Sequence, residues 1–343
     1  MQSLRSILIR ADGSKKLGMG HLNRCYLIAS YLENEYNINS VLLVKDSKEA
    51  RLFLSKKQQI LNIVFFESMG QYKYEFDTII NLIDDVGFNL ILFDLLEVES
   101  ESVYLDFLSK INIPKCVISD DSHYHEFPAD LIINGNPNQS QSKYLKLKQK
   151  YLIGPEYFIM DSDHSKSKIK YNNLRSVLVS LGGSDHNDII FTVIQSVIEF
   201  NDVDKVIVVS SRSSGYVKKL KEIAIHDKIE LHFDVESLSG LWSECSVAIT
   251  AGGNTLFERI AAGVPGGTVC QLSRQMEIAN SFESRGVNVN FGFGPDLTAN
   301  ELSASIDKFL KDKLCHSMQR RLSKLVVPGN GLKICAKQIV NLI

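Results

Sequence analysis

One stretch of sequence decides the fold class of this chain, Gly18-Met19-Gly20-His21-Leu22-Asn23-Arg24. It follows Ile7-Leu8-Ile9, an apolar run that is typical of a short buried strand. After it, apolar residues recur at roughly helical spacing from Leu22 to Leu32. A glycine-rich turn therefore joins a strand to a helix, which is the repeating unit of a parallel α/β sheet.

The glycines of this turn indicate an anion-binding loop. Glycine permits a positive φ and a close approach of the backbone to a ligand, so Gly18 and Gly20 suit a turn over a phosphate. The unpaired N–H groups that open the helix favour a diphosphate. His21 falls in the first helical turn and exchanges a proton near neutral pH, which makes it a candidate base beside the phosphates. Alternatively, the glycines serve only the turn and His21 is a polar surface residue.

Short apolar runs alternate with helical patterns in two series, which predicts two parallel sheets. Polar segments separate the series, so we predict domains at 1–160 and 161–343. Each is expected to be a doubly wound, Rossmann-like domain, and the two to face a central cleft that binds ligand at the carboxyl ends of the strands. The predicted strands are 6–10, 40–44, 63–66, 90–93, 116–119 and 131–134, then 176–181, 205–209, 229–233, 247–250 and 267–270.

The second series opens with a further glycine turn. Gly182 and Gly183 follow a predicted strand and precede Ser184, whose hydroxyl suits the cap of a following helix. This turn is a candidate for a second anion-binding loop. A plain strand-to-helix turn has the same sequence pattern.

A more specific turn is Gly252-Gly253-Asn254-Thr255, again placed where a predicted strand meets a helix. Glu258 follows about one helical turn later, so its carboxylate suits the hydroxyls of a ribose while the loop faces phosphates. The alternative is an acidic first turn that the helix dipole favours. Further on, the amides of Gln275 and Asn280 are candidates to reach a sugar or a phosphate, or belong to an ordinary polar loop.

Composition excludes several classes of function. The 343 residues are 44% hydrophobic and 23% charged with a formal net charge of −2, and no basic run is dense enough for nucleic acid. The sequence opens without a long apolar segment, so we expect no signal peptide, no membrane span and a cytoplasmic protein. Histidines and cysteines lack zinc-type spacing, so we expect no metal site. The oligomeric state stays open.

Together these motifs resemble the PseG- and SpsG-type family of UDP-sugar hydrolases, whose fold is similar to that of the glycosyltransferase MurG. The resemblance spans most of the chain, and the order and spacing of its motifs are more specific than any one of them. The motifs are Arg10-Ala11-Asp12, the loop at 18–24, Ser119-Asp120-Asp121 with Asp130 downstream, Leu152-Ile153-Gly154-Pro155-Glu156-Tyr157, the turn at 180–185 and the turn at 252–258.

The resemblance implies a GT-B-like fold and hydrolysis of a UDP-linked 2,4-diacetamido-type amino sugar. His21 then acts as the general base that activates a water, and UDP departs by C–O cleavage with inversion. Asp94 is expected near the sugar, Asp12 in a role that shapes the catalytic loop, and Arg24 within the substrate-binding loop. No metal or other cofactor is implied. The product would serve the synthesis of pseudaminic acid, another nonulosonic acid or a surface-polysaccharide precursor.

The sequence departs from the family pattern at three places. Leu95-Leu96 stands where a His-Tyr pair is usual, Phe127 where a histidine is usual, and an arginine is missing around Met160-Asp161. A changed sugar or a changed acceptor explains these departures. A glycosyltransferase, with Leu95-Leu96 in an apolar acceptor surface, and a sugar-nucleotide binding protein without catalysis therefore stay open beside the hydrolase.

Overall fold

The chain divides into two compact units, Met1–Asp161 with Gly329–Ile343 and Ser162–Pro328. The structure is a computed structural model. It describes residues 5–14, 17–57, 61–67, 72–95, 102–120, 128–139, 149–164, 176–182, 188–212, 214–311, 317–318, 321–322 and 329–343.

The first unit is built on a parallel sheet. Over the described ranges it has seven strands in the order β3-β2-β1-β4-β5-β6-β7. They are β1 (Ser6–Ala11), β2 (Asn39–Lys45), β3 (Asn62–Phe66), β4 (Leu90–Asp94), β5 (Lys115–Ile118), β6 (Leu131–Asn134) and β7 (Lys150–Ile153).

The second unit has a parallel sheet of its own, with six strands in its described part and the order β10-β9-β8-β11-β12-β13. They are β8 (Ser176–Ser180), β9 (Lys205–Ser210), β10 (Ile229–Phe233), β11 (Val247–Thr250), β12 (Gly266–Cys270) and β13 (Val289–Phe293).

Helices connect most of these strands. Of the helices in the described residues, none is both long and apolar enough to cross a membrane. The helices are α1 (Gly20–Tyr36), α2 (Lys48–Ser55), α3 (Tyr72–Val86), α4 (Ser102–Ser109), α5 (Ile189–Ile198), α6 (Val217–Ile223), α7 (Ser239–Trp242), α8 (Asn254–Ala261), α9 (Ser273–Ser284), α10 (Ala299–Lys311) and α11 (Asn330–Val340).

The apolar run of β1 shows why the strands could be predicted. Ile7, Leu8 and Ile9 are all fully buried. Ile7 and Ile9 belong to the core on one face of the sheet, and Leu8 belongs to the core on the other. A parallel sheet covered on both faces needs apolar side chains on both, so its strands are continuous apolar runs.

The strand order determines where the three glycine turns lie. In the first sheet the order reverses between β1 and β4, and Ala11 pairs with Asp94 at their carboxyl ends. In the second sheet it reverses between β8 and β11, where Ser180 pairs with Thr250. Doubly wound sheets bind ligands at such reversals, outside the carboxyl ends of the strands. The turns after β1, β8 and β11 all lie at these edges.

The C-terminal helix corrects the predicted domain limits. We predicted that residues 161–343 form one domain, but α11 belongs to the first unit. Its apolar residues recur at helical spacing and join the core that also contains Leu22 and Cys25 of α1. An amphipathic pattern predicts a buried face without specifying which sheet covers it, so the sequence did not reveal this return. The buried residues of α11 include Leu332, Cys335, Ala336 and Ile339.

Two strands at the edges of the described sheets were not predicted. β7 lies at the edge of the first sheet and begins with an exposed lysine, Lys150. β13 contains Asn290 and Gly292, and Gly292 has a φ of 114° beside a register shift in the pairing with β12. A bulged edge strand accepts residues that a central strand excludes.

The packing of α11 against the rest of the first unit can be tested at Gly331. A Cβ atom there would lie 2.1 Å from the carbonyl oxygen of Phe158. Gly331→Ala should therefore lower the thermal unfolding midpoint, because overpacking of about 1–3 kcal/mol exceeds the gain of roughly 0.5–1 kcal/mol from alanine in a helix. Gly240→Ala in α7, where no atom lies within 4 Å, is the matched control and should be neutral or stabilising. Equal midpoints for both variants would contradict the packing of α11.

Candidate active site

The turn after β1 places two polar side chains of α1 side by side. Gly18 has a φ of 78°, which favours glycine, and α1 begins at Gly20. His21 and Arg24 are three residues apart, so they lie on one face of the helix in its first turns. Both are therefore directed to the same neighbouring strand end.

The carboxylate of Asp94 forms hydrogen bonds with both side chains. It is the last residue of β4, the strand beside β1, and it is fully buried. Its Oδ1 lies 2.7 Å from Nδ1 of His21. Arg24 donates from Nε to Oδ2 and from Nη2 to Oδ1, each at 2.5 Å. The structure thus brings together three predicted site residues, and two of the hydrogen bonds of Arg24 orient the carboxylate of Asp94.

Asp120 completes this cluster. It follows β5, and it accepts from Nη1 of Arg24 at 2.8 Å. Its Oδ2 lies 3.9 Å from Nε2 of His21, and 32% of its side chain is exposed. Asp120 belongs to one of the family motifs but was not predicted as a site residue. The adjacency of β4 and β5 was the available signal, because neighbouring parallel strands end at the same edge of a sheet.

The charges of the cluster fix the protonation of Asp94. Burial alone would raise its pKa, but the charges of Arg24 and His21 and their hydrogen bonds outweigh burial and hold the pKa well below its usual range. Arg24 and His21 lower the pKa of Asp120 in the same way. An ionised Asp94 only accepts hydrogen bonds, so at 2.7 Å Nδ1 of His21 is assigned as its donor. Nη2 of Arg24 also lies 3.1 Å from Nδ1, but it donates to Oδ1 of Asp94 at the shorter distance of 2.5 Å. In a neutral imidazole, the lone pair is then on Nε2.

Asp12, which directly follows β1, has hydrogen bonds that stabilise the fold. Its carboxylate accepts from the buried guanidinium of Arg10 and, at 2.8 Å, from the backbone N–H of Lys45. Arg10 also donates to Glu75 at 2.7 Å, and Glu75 accepts from the hydroxyl of Tyr104. The carboxylate of Asp12 therefore joins the ends of β1 and β2, beside the start of the glycine turn.

In the second unit, the turn after β11 approaches Gln275. A Cβ atom on Gly252 would lie 2.7 Å from Cβ of Gln275, so only glycine fits without a shift. Gly253 caps α8, whose first residues are Asn254 and Thr255, so their backbone N–H groups form its N-terminus. Gln275 is itself held in place, because its Oε1 accepts from the backbone N–H of Gln271 at 2.8 Å.

The remaining predicted residues are placed differently. Asn280 does not approach this turn through a hydrogen bond but accepts from Nδ2 of Asn290 at 2.6 Å. Gly182 has a φ of 80° after β8, as a glycine turn requires. Leu95 is 5% exposed and belongs to the core, so it is no replacement for a polar group at a surface. Predictions for Leu96, Phe127, Gly183 and Ser184 lie outside the described residues.

Glu258 has an electrostatic environment opposite to that of Asp94. It lies in α8, with 23% of its side chain exposed, and desolvation raises its pKa to about 7. Among the described residues, its ionisable neighbour is His164, whose Nε2 lies 4.0 Å from Oε1 of Glu258. We did not predict His164, because it stands alone in a polar segment without any motif. Glu258 therefore presents a carboxyl group that lacks a compensating hydrogen bond from the described part of the chain.

Two parallel α/β units with glycine turns at their strand-order reversals define a GT-B-like protein. Acinetobacter baumannii MurG has the same fold, with a TM-score of 0.71 at 11% sequence identity over 98% of this chain and 99% of that chain. This similarity confirms the predicted fold class. No protein-family model matches the chain.

The chain is also similar in sequence to several known proteins. The chain is 26% identical over 335 residues to the spore coat polysaccharide biosynthesis protein SpsG of Bacillus subtilis, covering 94% of each protein. It is 22% identical over 292 residues to the UDP-2,4-diacetamido-2,4,6-trideoxy-beta-L-altropyranose hydrolase of Campylobacter jejuni, covering 84% of this chain and 99% of that protein. The predicted resemblance to PseG- and SpsG-type proteins is confirmed. The similarities are to enzymes and biosynthetic proteins of sugar-nucleotide and polysaccharide chemistry.

Replacement of Arg24 tests how much the stability of the folded protein depends on the ion pair of Arg24 with Asp94. Arg24→Met should lower the free energy of unfolding by about 3–5 kcal/mol at pH 7, because it leaves the buried Asp94 without its main compensating charge. Chemical denaturation gives the value. Lys110→Met, which breaks an exposed pair with Asp106, is the control and should change stability little. A loss no larger than that of the control would show that Asp94 is not dependent on Arg24.

The raised pKa of Glu258 predicts a pH-dependent stability. The folded carboxyl has a pKa of about 7 against 4.5 unfolded, so between these values the folded state holds more protons and stability falls as pH rises. The free energy of unfolding of the native chain, relative to that of Glu258→Gln, should fall by about 3 kcal/mol between pH 4 and pH 8. Denaturation followed by fluorescence of Trp242, the one tryptophan of the chain, measures this. If the difference in unfolding free energy between the native chain and Glu258→Gln does not change with pH, Glu258 is solvated in the folded protein and its pKa is not raised.

Proposed function

We propose that this chain hydrolyses a UDP-linked amino sugar of the 2,4-diacetamido type and releases UDP by cleavage of the C–O bond at the anomeric carbon. The bond of 2.7 Å between Nδ1 of His21 and Asp94 carries the proposal. It fixes the imidazole and leaves Nε2 as its basic atom. An oriented imidazole is a suitable base to activate water near neutral pH.

The proposed step is a single displacement. Nε2 of His21 accepts a proton from a water, and the water oxygen bonds to the anomeric carbon. The bond from that carbon to the diphosphate oxygen breaks, and its electron pair leaves with UDP. Attack from the side opposite the leaving group inverts the configuration. Asp94 stays ionised throughout and stabilises the imidazolium, as the carboxylate of a catalytic triad does.

Asp120 has a supporting role in this step. Its Oδ2 lies 3.9 Å from Nε2 of His21, and it is the more exposed of the two carboxylates in the cluster. A water that donates one hydrogen bond to Nε2 then has Asp120 as an acceptor for its other hydrogen. Two acceptors of fixed position select one orientation of the water, which lowers the entropic part of the barrier.

We assign the nucleotide to the second unit. The N-terminus of α8, after Gly252 and Gly253, presents backbone N–H groups that suit a diphosphate and stabilise the charge that develops on it. Glu258 follows one turn later, and its carboxyl suits the ribose hydroxyls. Gln275 borders the same turn and suits a phosphate or the sugar.

The relatives support this assignment of substrate. The Campylobacter jejuni relative is by name a hydrolase of a UDP-linked diacetamido sugar, and the Bacillus subtilis relative takes part in polysaccharide biosynthesis. Hydrolysis that supplies a free amino sugar for a nonulosonic acid, pseudaminic acid included, or for a surface glycan agrees with both. Transfer to an acceptor was tied to an apolar surface at Leu95-Leu96, and the burial of Leu95 in the core gives it no support.

The first test is UDP release from a panel of UDP-linked 2,4-diacetamido and 2-acetamido sugars without any acceptor. We expect release, and we expect His21→Ala to lower turnover by about 10²–10⁴-fold while UDP affinity stays within a few-fold, because the base contacts water and not the nucleotide. Calorimetry measures the affinity. His226→Ala, which removes an exposed histidine, is the matched control and should keep full turnover.

Glu258→Ala separates binding from chemistry. It should weaken UDP by about 1–3 kcal/mol if the carboxylate accepts from ribose. Binding of UDP without release from any sugar would contradict hydrolysis and favour a transferase, which an added acceptor then reveals, or a binding protein. A large loss of UDP affinity in His21→Ala would contradict the role of His21.

A further inference from the structure

A turn at the end of β6 is bonded to the residue of the candidate site that follows β5. The amide Nδ2 of Asn136 donates to the backbone carbonyl oxygen of Asp120 at 2.6 Å. A backbone carbonyl only accepts hydrogen bonds, so the nitrogen of the Asn136 amide is the atom that faces it. Asn136 is buried, with 4% of its surface exposed. Its side chain thus joins two neighbouring strands, β5 and β6, at their carboxyl ends.

The turn that carries Asn136 is fixed by contacts of its own. The backbone N–H of Asn136 donates to Oδ1 of Asn134 at 3.0 Å, and the carbonyl of Asn134 accepts from the N–H of Gly154 at 2.9 Å. Between the two asparagines, a Cβ atom on Gly135 would lie 2.8 Å from Cα of Phe158, so the backbone of the turn is closely packed. The amide of Asn136 is therefore presented from a defined position.

Asp120 is held to this part of the sheet by hydrogen bonds on both sides of its Cα atom. Before it, the backbone N–H of Ser119 donates to the carbonyl oxygen of Ile133 in β6 at 2.9 Å. After it, the carbonyl of Asp120 accepts from Asn136. Packing constrains the Asp120 side chain less than that of Asp94, since 32% of it is exposed and none of the Asp94 side chain is. The backbone bonds therefore contribute more to its position.

We propose that Asn136 is a positioning residue that holds the carboxylate of Asp120 beside Nε2 of His21, where it accepts from the water of the proposed hydrolysis. This inference rests on the proposed function, which gives that water to His21 and Asp120. Arg24 donates to Oδ1 and Oδ2 of Asp120 at 2.8 and 3.2 Å, and Oδ2 lies 3.9 Å from Nε2 of His21. A carboxylate oxygen accepts more than one hydrogen bond, so Oδ2 suits a water as well as Arg24.

A small movement of Asp120 is enough to disturb this arrangement. A water bonded to both groups lies about 2.8 Å from each acceptor, so a shift of about 1 Å in Asp120 removes one of its two contacts. Misplacement of this size costs up to roughly 10²-fold in rate. The same shift weakens the contact with Arg24. Burial raises the pKa of Asp120, but the charges of Arg24 and His21 outweigh burial and lower it. The ionisation of Asp120 therefore depends on its position.

Two substitutions remove the hydrogen bond of Asn136 in different ways. Asn136→Ala truncates the side chain, and Asn136→Leu keeps its branched shape without a polar atom. A result that both variants share then comes from the lost donor and not from the lost volume. Asn62→Ala is the matched control, because Asn62 donates an amide hydrogen bond to Asn39 at the amino ends of β3 and β2. Thermal unfolding checks that each variant is folded.

The first readout is the titration of the Asp120 carboxyl by carbon-13 NMR on aspartate-labelled protein, with Asp120→Asn assigning the signal. We expect Asn136→Ala and Asn136→Leu to raise the pKa of Asp120 by about one unit, which is roughly a tenfold change in its ionisation constant. The reason is that the carboxylate is then held less closely to Arg24. Asn62→Ala should leave the titration of Asp120 unchanged.

The second readout is turnover of the UDP-linked 2,4-diacetamido sugar that the native chain hydrolyses. Both Asn136 variants should lower kcat roughly tenfold, while KM and UDP affinity change by less than about twofold, because Asp120 contacts water and not the nucleotide. In the Asp120→Asn background, Asn136→Ala should not lower kcat further, since the two residues act through one contact. Asn62→Ala should keep the native kcat.

An unchanged pKa of Asp120 in both Asn136 variants overturns the proposal, whatever happens to turnover. A loss of kcat that adds fully to that of Asp120→Asn overturns it as well, because Asn136 then acts through another group. Failure of the native chain to release UDP from any sugar contradicts the proposed function instead. In that case the titration still decides whether Asn136 holds the carboxylate of Asp120.

Discussion

The buried ion pair of Arg24 with Asp94 is the constraint on which the first unit depends. It connects the first helix to the centre of the sheet, where β1 and β4 lie side by side. Breaking such a pair leaves a buried charge and is costly, so the register of α1 against the strand ends is fixed. The same pair holds the carboxylate to which His21 is bonded. The position of the proposed base therefore follows from an interaction that also stabilises the fold.

Much of this arrangement could be predicted from local sequence. Apolar runs and glycine turns identified β1, β8 and β11 and the helices that follow most of them, because burial on both faces and positive φ leave clear marks in a sequence. Contacts between segments that are distant in the sequence could not be predicted in this way. The return of α11 to the first unit depends on which surface covers an amphipathic face, and the contact of Asp120 with Arg24 depends on the order of the strands. A single sequence carries the pattern of each element but not the pairing between elements.

Two acidic residues, Asp94 in the first unit and Glu258 in the second, show how the local environment separates the pKa values of like groups. Asp94 is compensated by a guanidinium and an imidazole, and its pKa is lowered. Glu258 is desolvated without a cation, and its pKa is raised to about 7. Both carboxyls follow a glycine turn or a strand end, so their sequence context is similar. Shifted carboxyl pKa values are frequent at functional sites, so each unit offers a candidate group of its own.

Fold and chemistry contribute separately to the proposed function. A GT-B-like fold is shared with MurG at 11% identity, which establishes the fold and does not choose between water and an acceptor hydroxyl. The fixed imidazole of His21 supports activation of a hydroxyl group of either kind. The choice then depends on what surrounds Nε2. Oδ2 of the partly exposed Asp120 lies 3.9 Å from Nε2, and Leu95, after the end of β4, packs into the core. A carboxylate at that distance suits a water that is bound to Nε2, because it accepts the other hydrogen of the water, and this favours water in the proposed reaction.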